Sequence, residues 1–150
     1  GIVTDSAPSA TALLTGVKAR NDVVGEGPDA VPGVASDPSS GTEGTPAKSI
    51  LEMAAERGLA TGVVTTTTVT HATPASAYAH IHHRDLEQDI AAQLLAPRFG
   101  QIPDLILGGG RQFFLPAGAA DPEYPDQRGL RADGRDLTAE LAARGHAYVW

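Results

Sequence analysis

The run TDSAPSAT crowds four hydroxyl side chains, Thr4, Ser6, Ser9 and Thr11, around Asp5 and Pro8, just before an apolar helical stripe. Ser6 has two readings. As structure, a serine here is a good helix N-cap, its oxygen accepting an N–H of the first turn. As chemistry, its oxygen becomes a nucleophile for a phosphoryl or acyl group only where positive charge stabilises the alkoxide. A helix N-terminus supplies part of that field. Metal ions or an arginine must supply the rest.

A second run, VVTTTTVTHATPASAYAHIHHR, places His71, Thr73 and Arg84 after a strand end, where α/β folds hold their ligands. His80, His82 and His83 invite a metal reading. Only His80 and His83 have a helix-face spacing, and no carboxylate or cysteine accompanies them. They therefore read as structural or surface histidines.

The elements that must position these residues follow from periodicity. Ala10, Leu13, Leu14 and Val17 give a helix after Ser6, with Gly16 near its end and Pro8 tolerated in the first turn. In TPAKSILEMAAERG, Thr45 is the expected cap, Pro46 the first position and Gly58 the stop. LATGVVTTTTV reads as a strand from its β-branched residues. In DLEQDIAAQLLAP, Asp85 and Gln88 resemble a capping box and Pro97 ends the helix. PDLILGGG reads as a buried strand with a glycine turn, and RDLTAELAARG as another helix. GIVT and HAYVW read as parts of further strands at the two ends. Strands alternating with helices predict an α/β fold, a three-layer αβα arrangement with a mostly parallel sheet. Residues 20–45, rich in Gly, Pro, Ser and Asp, are expected to form a long surface loop.

With 150 residues the chain is long enough for a single core-forming domain. A net charge of −7 with scattered basic residues excludes a nucleic-acid surface. The lack of cysteine removes disulfides, thiolate metal sites and cysteine nucleophiles. No apolar run approaches the roughly 20 residues that span a bilayer. The strand-like ends make the chain read as part of a longer polypeptide.

Taken in order, VTDSAPSATALLTGVKARN and GVVTTTTVTHATPASAYAHIHHR resemble the nucleophile signature and second active-site segment of the alkaline phosphatase family, and DLILGGGRQFF the glycine turn after them. DPEYPD, RADGRDL and AYVW resemble its animal-type branch and bacterial relatives. The resemblance runs over nearly the whole chain, with 20–45 its weakest part. It implies hydrolysis of phosphate monoesters through a phosphoserine at a zinc and magnesium site, on one catalytic domain of which 1–150 is a fragment.

By resemblance, Ser6 is the nucleophile and a zinc-bound alkoxide, Arg84 clamps two phosphate oxygens, and Asp5 orients Arg84. Thr73 ligates magnesium through its hydroxyl, and His71 stands behind that metal. Glu123 matches a ligand of an additional calcium site, although as a bare residue it is equally a solvated turn carboxylate. Two zinc ions and one magnesium ion are implied. The remaining ligands are expected in an Asp of a GDG-like turn before Gly1 and in Asp, His and Glu residues after Trp150. The isolated segment is therefore expected to turn over little or no substrate.

Homodimers, small phosphomonoester substrates and a periplasmic or extracellular location also follow from the resemblance alone. Only four residues separate Arg84 from DIAAQLL. The contrasting reading is a non-catalytic α/β module that binds phosphate or metal weakly. A sulfatase reading is disfavoured, because SAPSA has the proline of that signature and not its arginine.

Overall fold

The computed structural model describes residues 3–149. In chain order the elements are α1 (Ser6–Thr15), α2 (Ile50–Ala55), β1 (Gly62–Thr68), α3 (Ala72–Ala75), α4 (Glu87–Gln93), β2 (Leu105–Gly109) and α5 (Leu137–Ala143). Short 3-10 turns lie at Pro38–Ser40 and Arg111–Phe113. Among the described residues β1 and β2 pair in parallel, Val63 opposite Ile106, with the register shifting between Val64 and Thr68. Helices joined to a parallel sheet make this an α/β fold, as the alternating pattern predicts.

The core lies where α1, α3, α4 and α5 meet β1. Ile90 and Leu137 are fully buried, and Ala7, Ala72, Ala75 and Ala79 let backbones approach closely. Burying a side chain such as Ile90 contributes about 1.5–3 kcal/mol. A polar network crosses the same region. Ser49 caps α2 and forms a capping box with Glu52, whose other oxygen meets His80 Nε2 at 2.8 Å. His80 Nδ1 lies 2.6 Å from the Gly25 carbonyl. A carbonyl only accepts, so Nδ1 carries a proton and Nε2 shares a further one with Glu52. Gly25 is obligatory there: its φ is +63°, and a Cβ would stand 2.0 Å from Ala79 O.

Several expectations are corrected. Asp5 caps α1, and Ser6 is its first helical residue. Thr45 is no cap, because Asp29 Oδ2 draws its hydroxyl and N–H away. Leu86 precedes α4 without a side-chain cap, and Gln88 turns to the Ala132 N–H, so the Asp85–Gln88 box does not form. β2 is largely exposed rather than buried. Val3 and Thr4 are not strand, and 146–149 make no ladder pairing; Gly1, Ile2 and Trp150 lie outside the described residues. The 20–45 segment leaves the surface at its start. Val23, Val24 and Glu26 are buried, and Val24 pairs antiparallel with Ile81.

Candidate active site

The N-terminus of α1 is built by Asp5. Its Oδ1 accepts the Ala7 N–H at 2.6 Å, and its Oδ2 accepts the Asp22 N–H at 2.7 Å. Because Asp5 satisfies the first turn, the Ser6 hydroxyl has no capping duty. Behind it, the Thr11 hydroxyl lies 3.4 Å from that of Ser76 and accepts the Gly25 N–H at 2.9 Å. These bonds seat α1 against α3 and the 23–26 segment.

Arg84 reaches this helix end from 78 residues away. The Val24–Ile81 pairing lays its segment beside residues 22–26, and the Arg84 N–H donates to Asp22 O at 2.7 Å. Its Nη1 donates to Ser6 Oγ at 2.7 Å and stands 3.5 Å from Asp5 Oδ1. Its Nη2 lies 2.9 Å from His71 Nε2. A guanidinium only donates, so Nε2 accepts and the proton of a neutral ring sits on Nδ1, which is buried and has no partner among the described residues. Asp5, Ser6, His71 and Arg84 thus form one half-buried cluster. A guanidinium has five N–H groups, so this one keeps donors for a second anion.

Thr73 does not join that cluster. It is exposed on α3 and lines a depression with Leu51, Val63 and Pro74. Glu123 lies elsewhere: Arg111 Nη2 donates to it at 2.9 Å and Arg111 Nη1 donates to Asp121 at 2.5 Å. Burial alone would raise the Asp121 carboxyl. The N–H groups of Tyr124 and Glu123, with Arg111, hold it below the ordinary value instead. A guanidinium between these two carboxylates does not suit a calcium ion.

The other metals fare similarly. Among the described residues no group of three or more His, Asp or Glu side chains could hold a metal ion. Both oxygens of Asp5 are already committed to backbone N–H groups. These residues alone do not fit a zinc or magnesium centre.

Sequence reasoning missed Asp22 and Glu87. Asp22 has φ +68°, and its backbone ties Asp5 to Arg84. Its signal was Asn21-Asp22, a pair suited to the left-handed region. Glu87 accepts hydrogen bonds from the hydroxyls of Thr68 and Thr70; nothing local marks it.

Residues 2–150 match the family model described as alkaline phosphatase. The chain is 43% identical over 172 residues to the tissue-nonspecific alkaline phosphatase of Gallus gallus, covering 99% of this chain and 32% of that protein. The structure of alkaline phosphatase from the Antarctic bacterium TAB5 superposes with a TM-score of 0.71 at 35% identity, covering 96% of this chain and 33% of that one. A mutant of that enzyme, solved with Mg bound, gives a TM-score of 0.69 at 35% identity over 94% of this chain and 32% of the other. The chain spans about a third of the length of these relatives.

Proposed function

The chain belongs to the alkaline phosphatase family, and from that premise we propose that it carries the nucleophile and phosphate clamp of a phosphate-monoester hydrolase. In the reaction, Ser6 Oγ forms a bond to phosphorus, the ester P–O bond breaks and the alcohol departs with a proton. Water then attacks the phosphoserine, freeing inorganic phosphate and restoring the hydroxyl. Uncatalysed hydrolysis of such esters is extremely slow, so charge stabilisation must be large.

The observation that carries this reading is the 2.7 Å bond from Arg84 Nη1 to Ser6 Oγ. A cation there favours negative charge on the attacking oxygen, and the remaining N–H groups can take two phosphoryl oxygens. Asp5 holds the arginine from one side and His71 from the other. Both are positioning residues in this account, because neither needs to touch phosphorus.

The two zinc ions and the magnesium ion of the resemblance would meet only the Ser6 and Thr73 hydroxyls here, and the steps above use none of them. Homodimer formation and a periplasmic or extracellular location belong to the same proposal. No helix among the described residues is long and apolar enough to cross a membrane.

Arg84→Lys tests the clamp. A point charge replaces the planar fork, so kcat/KM for a phosphomonoester should fall by about two orders of magnitude in the complete enzyme. Unchanged kcat/KM would refute it. The contrasting reading is weak phosphate binding without turnover. Phosphate binding with no hydrolysis in the complete polypeptide would select it.

A further inference from the structure

The geometry points to Glu87 as a positioning residue that sets the Arg84 guanidinium through Thr70 and His71, an inference that rests on the phosphatase reading. Glu87 opens α4 three residues after Arg84. Its Oε2 accepts the Thr68 hydroxyl at 2.9 Å and the Thr70 hydroxyl at 2.5 Å. Thr70 is fully buried and directly precedes His71. His71 Nε2 in turn accepts from Arg84 Nη2 at 2.9 Å. A closed ring results: Arg84, the turn to Glu87, the carboxylate, Thr70, His71 and back to the guanidinium.

Each side of the ring is held. Between Arg84 and Glu87 the chain is tied by the Leu86 N–H to His83 O and the Asp85 N–H to His83 Nδ1. On the other side, the His71 N–H bonds Thr68 O, and the buried Tyr78 hydroxyl donates to Val69 O at 2.8 Å. Strand end and arginine loop also meet directly where Arg84 Nη2 bonds His71 Nε2. The Glu87 carboxylate adds a second link, joining the residues on either side of Val69 to the start of α4. Without it His71 gains freedom, and Arg84 loses a fixed acceptor for one of its two terminal nitrogens.

The experiment uses the complete enzyme and inorganic phosphate as the probe, with Glu87→Ala, Glu87→Gln, Arg84→Ala and the Glu87→Ala/Arg84→Ala double variant. The expected result is phosphate affinity weakened about tenfold by Glu87→Ala, as for loss of an outer support. Glu87→Gln, whose amide oxygen still accepts both hydroxyls, should stay within about twofold. Adding Glu87→Ala to Arg84→Ala should change nothing further, because the effect runs through the arginine. Lowered thermal stability with unchanged phosphate affinity, or additive losses in the double variant, would overturn the proposal.

The NMR signals of the His71 ring separate this proposal from the reading beneath it. If phosphate binds no better to wild type than to Arg84→Ala, the phosphatase reading fails. Ring signals displaced in Glu87→Ala and restored in Glu87→Gln still uphold the positioning of His71. Ring signals identical in all variants overturn it.

Discussion

Asp22 holds Arg84 by its carbonyl, which accepts the arginine N–H at 2.7 Å, and holds Asp5 by its own N–H. One peptide turn thus fixes both the clamp and the residue that caps the nucleophile's helix. The turn needs φ +68° at Asp22, the one non-glycine residue with positive φ among those described.

That conformation is tolerated by Asp or Asn and costs a bulky L-residue roughly 1–2 kcal/mol. Asp22→Gly should keep the urea midpoint and the kcat/KM close to wild type. Asp22→Val should lower stability by about 1–2 kcal/mol and activity with it. Equal behaviour of the two variants would show that the backbone at 22 does not matter.

Asp5 combines a structural and a functional role, and two substitutions separate them. Asp5→Ala removes the cap and should cost about 1 kcal/mol or somewhat more in urea unfolding. Asp5→Asn keeps an oxygen for the Ala7 N–H and should recover much of that loss. Phosphate affinity should fall about tenfold in both, since neither variant faces Arg84 with a charge. An Asn variant with wild-type affinity would contradict the positioning role.

Glu26 offers a test by pH. Burial raises its carboxyl to about 7, against the lowering effect of the Gly44 N–H; its Oε1 has no partner among the described residues. The folded state therefore keeps a proton that the unfolded chain loses near pH 4.5. Stability must fall as pH rises from about 4.5 to about 7 and flatten above, as proton linkage requires. Glu26→Gln should remove this decline, so its advantage over wild type grows across that window. Parallel curves for the two proteins, followed by urea unfolding at each pH, would rule out the burial of a titrating carboxyl.

Much of the site was legible in the sequence because it sits in two local patterns. The Asp-Ser pair lies before an apolar helical stripe, and His71 to Arg84 lie after a β-branched strand. The strand GVVTTTT was legible from its β-branched residues, and RDLTAELAARG as a helix, because both signals are local. What was not legible depends on distant partners. Thr45 looks like a cap until Asp29 takes its hydroxyl, and Asp85 looks like one until the chain turns at His83. Val23 and Val24 sit in a Gly- and Pro-rich run, yet both are buried, and Val24 pairs with Ile81, far away in sequence. LILGG reads as a buried strand from its apolar run, yet β1 covers it on one edge only among the described residues. Glu87 carries no local mark, since its partners lie 17 and 19 residues earlier.

The central claim is that Ser6 takes the phosphoryl group while Arg84 holds it. The most direct measurement is mass spectrometry of the complete enzyme, quenched in acid during turnover of a phosphate monoester and digested. The account predicts a phosphopeptide bearing phosphate on Ser6, absent in Ser6→Ala and much reduced in Arg84→Ala. Turnover that persists in Ser6→Ala, or phosphate carried on another residue, would contradict it.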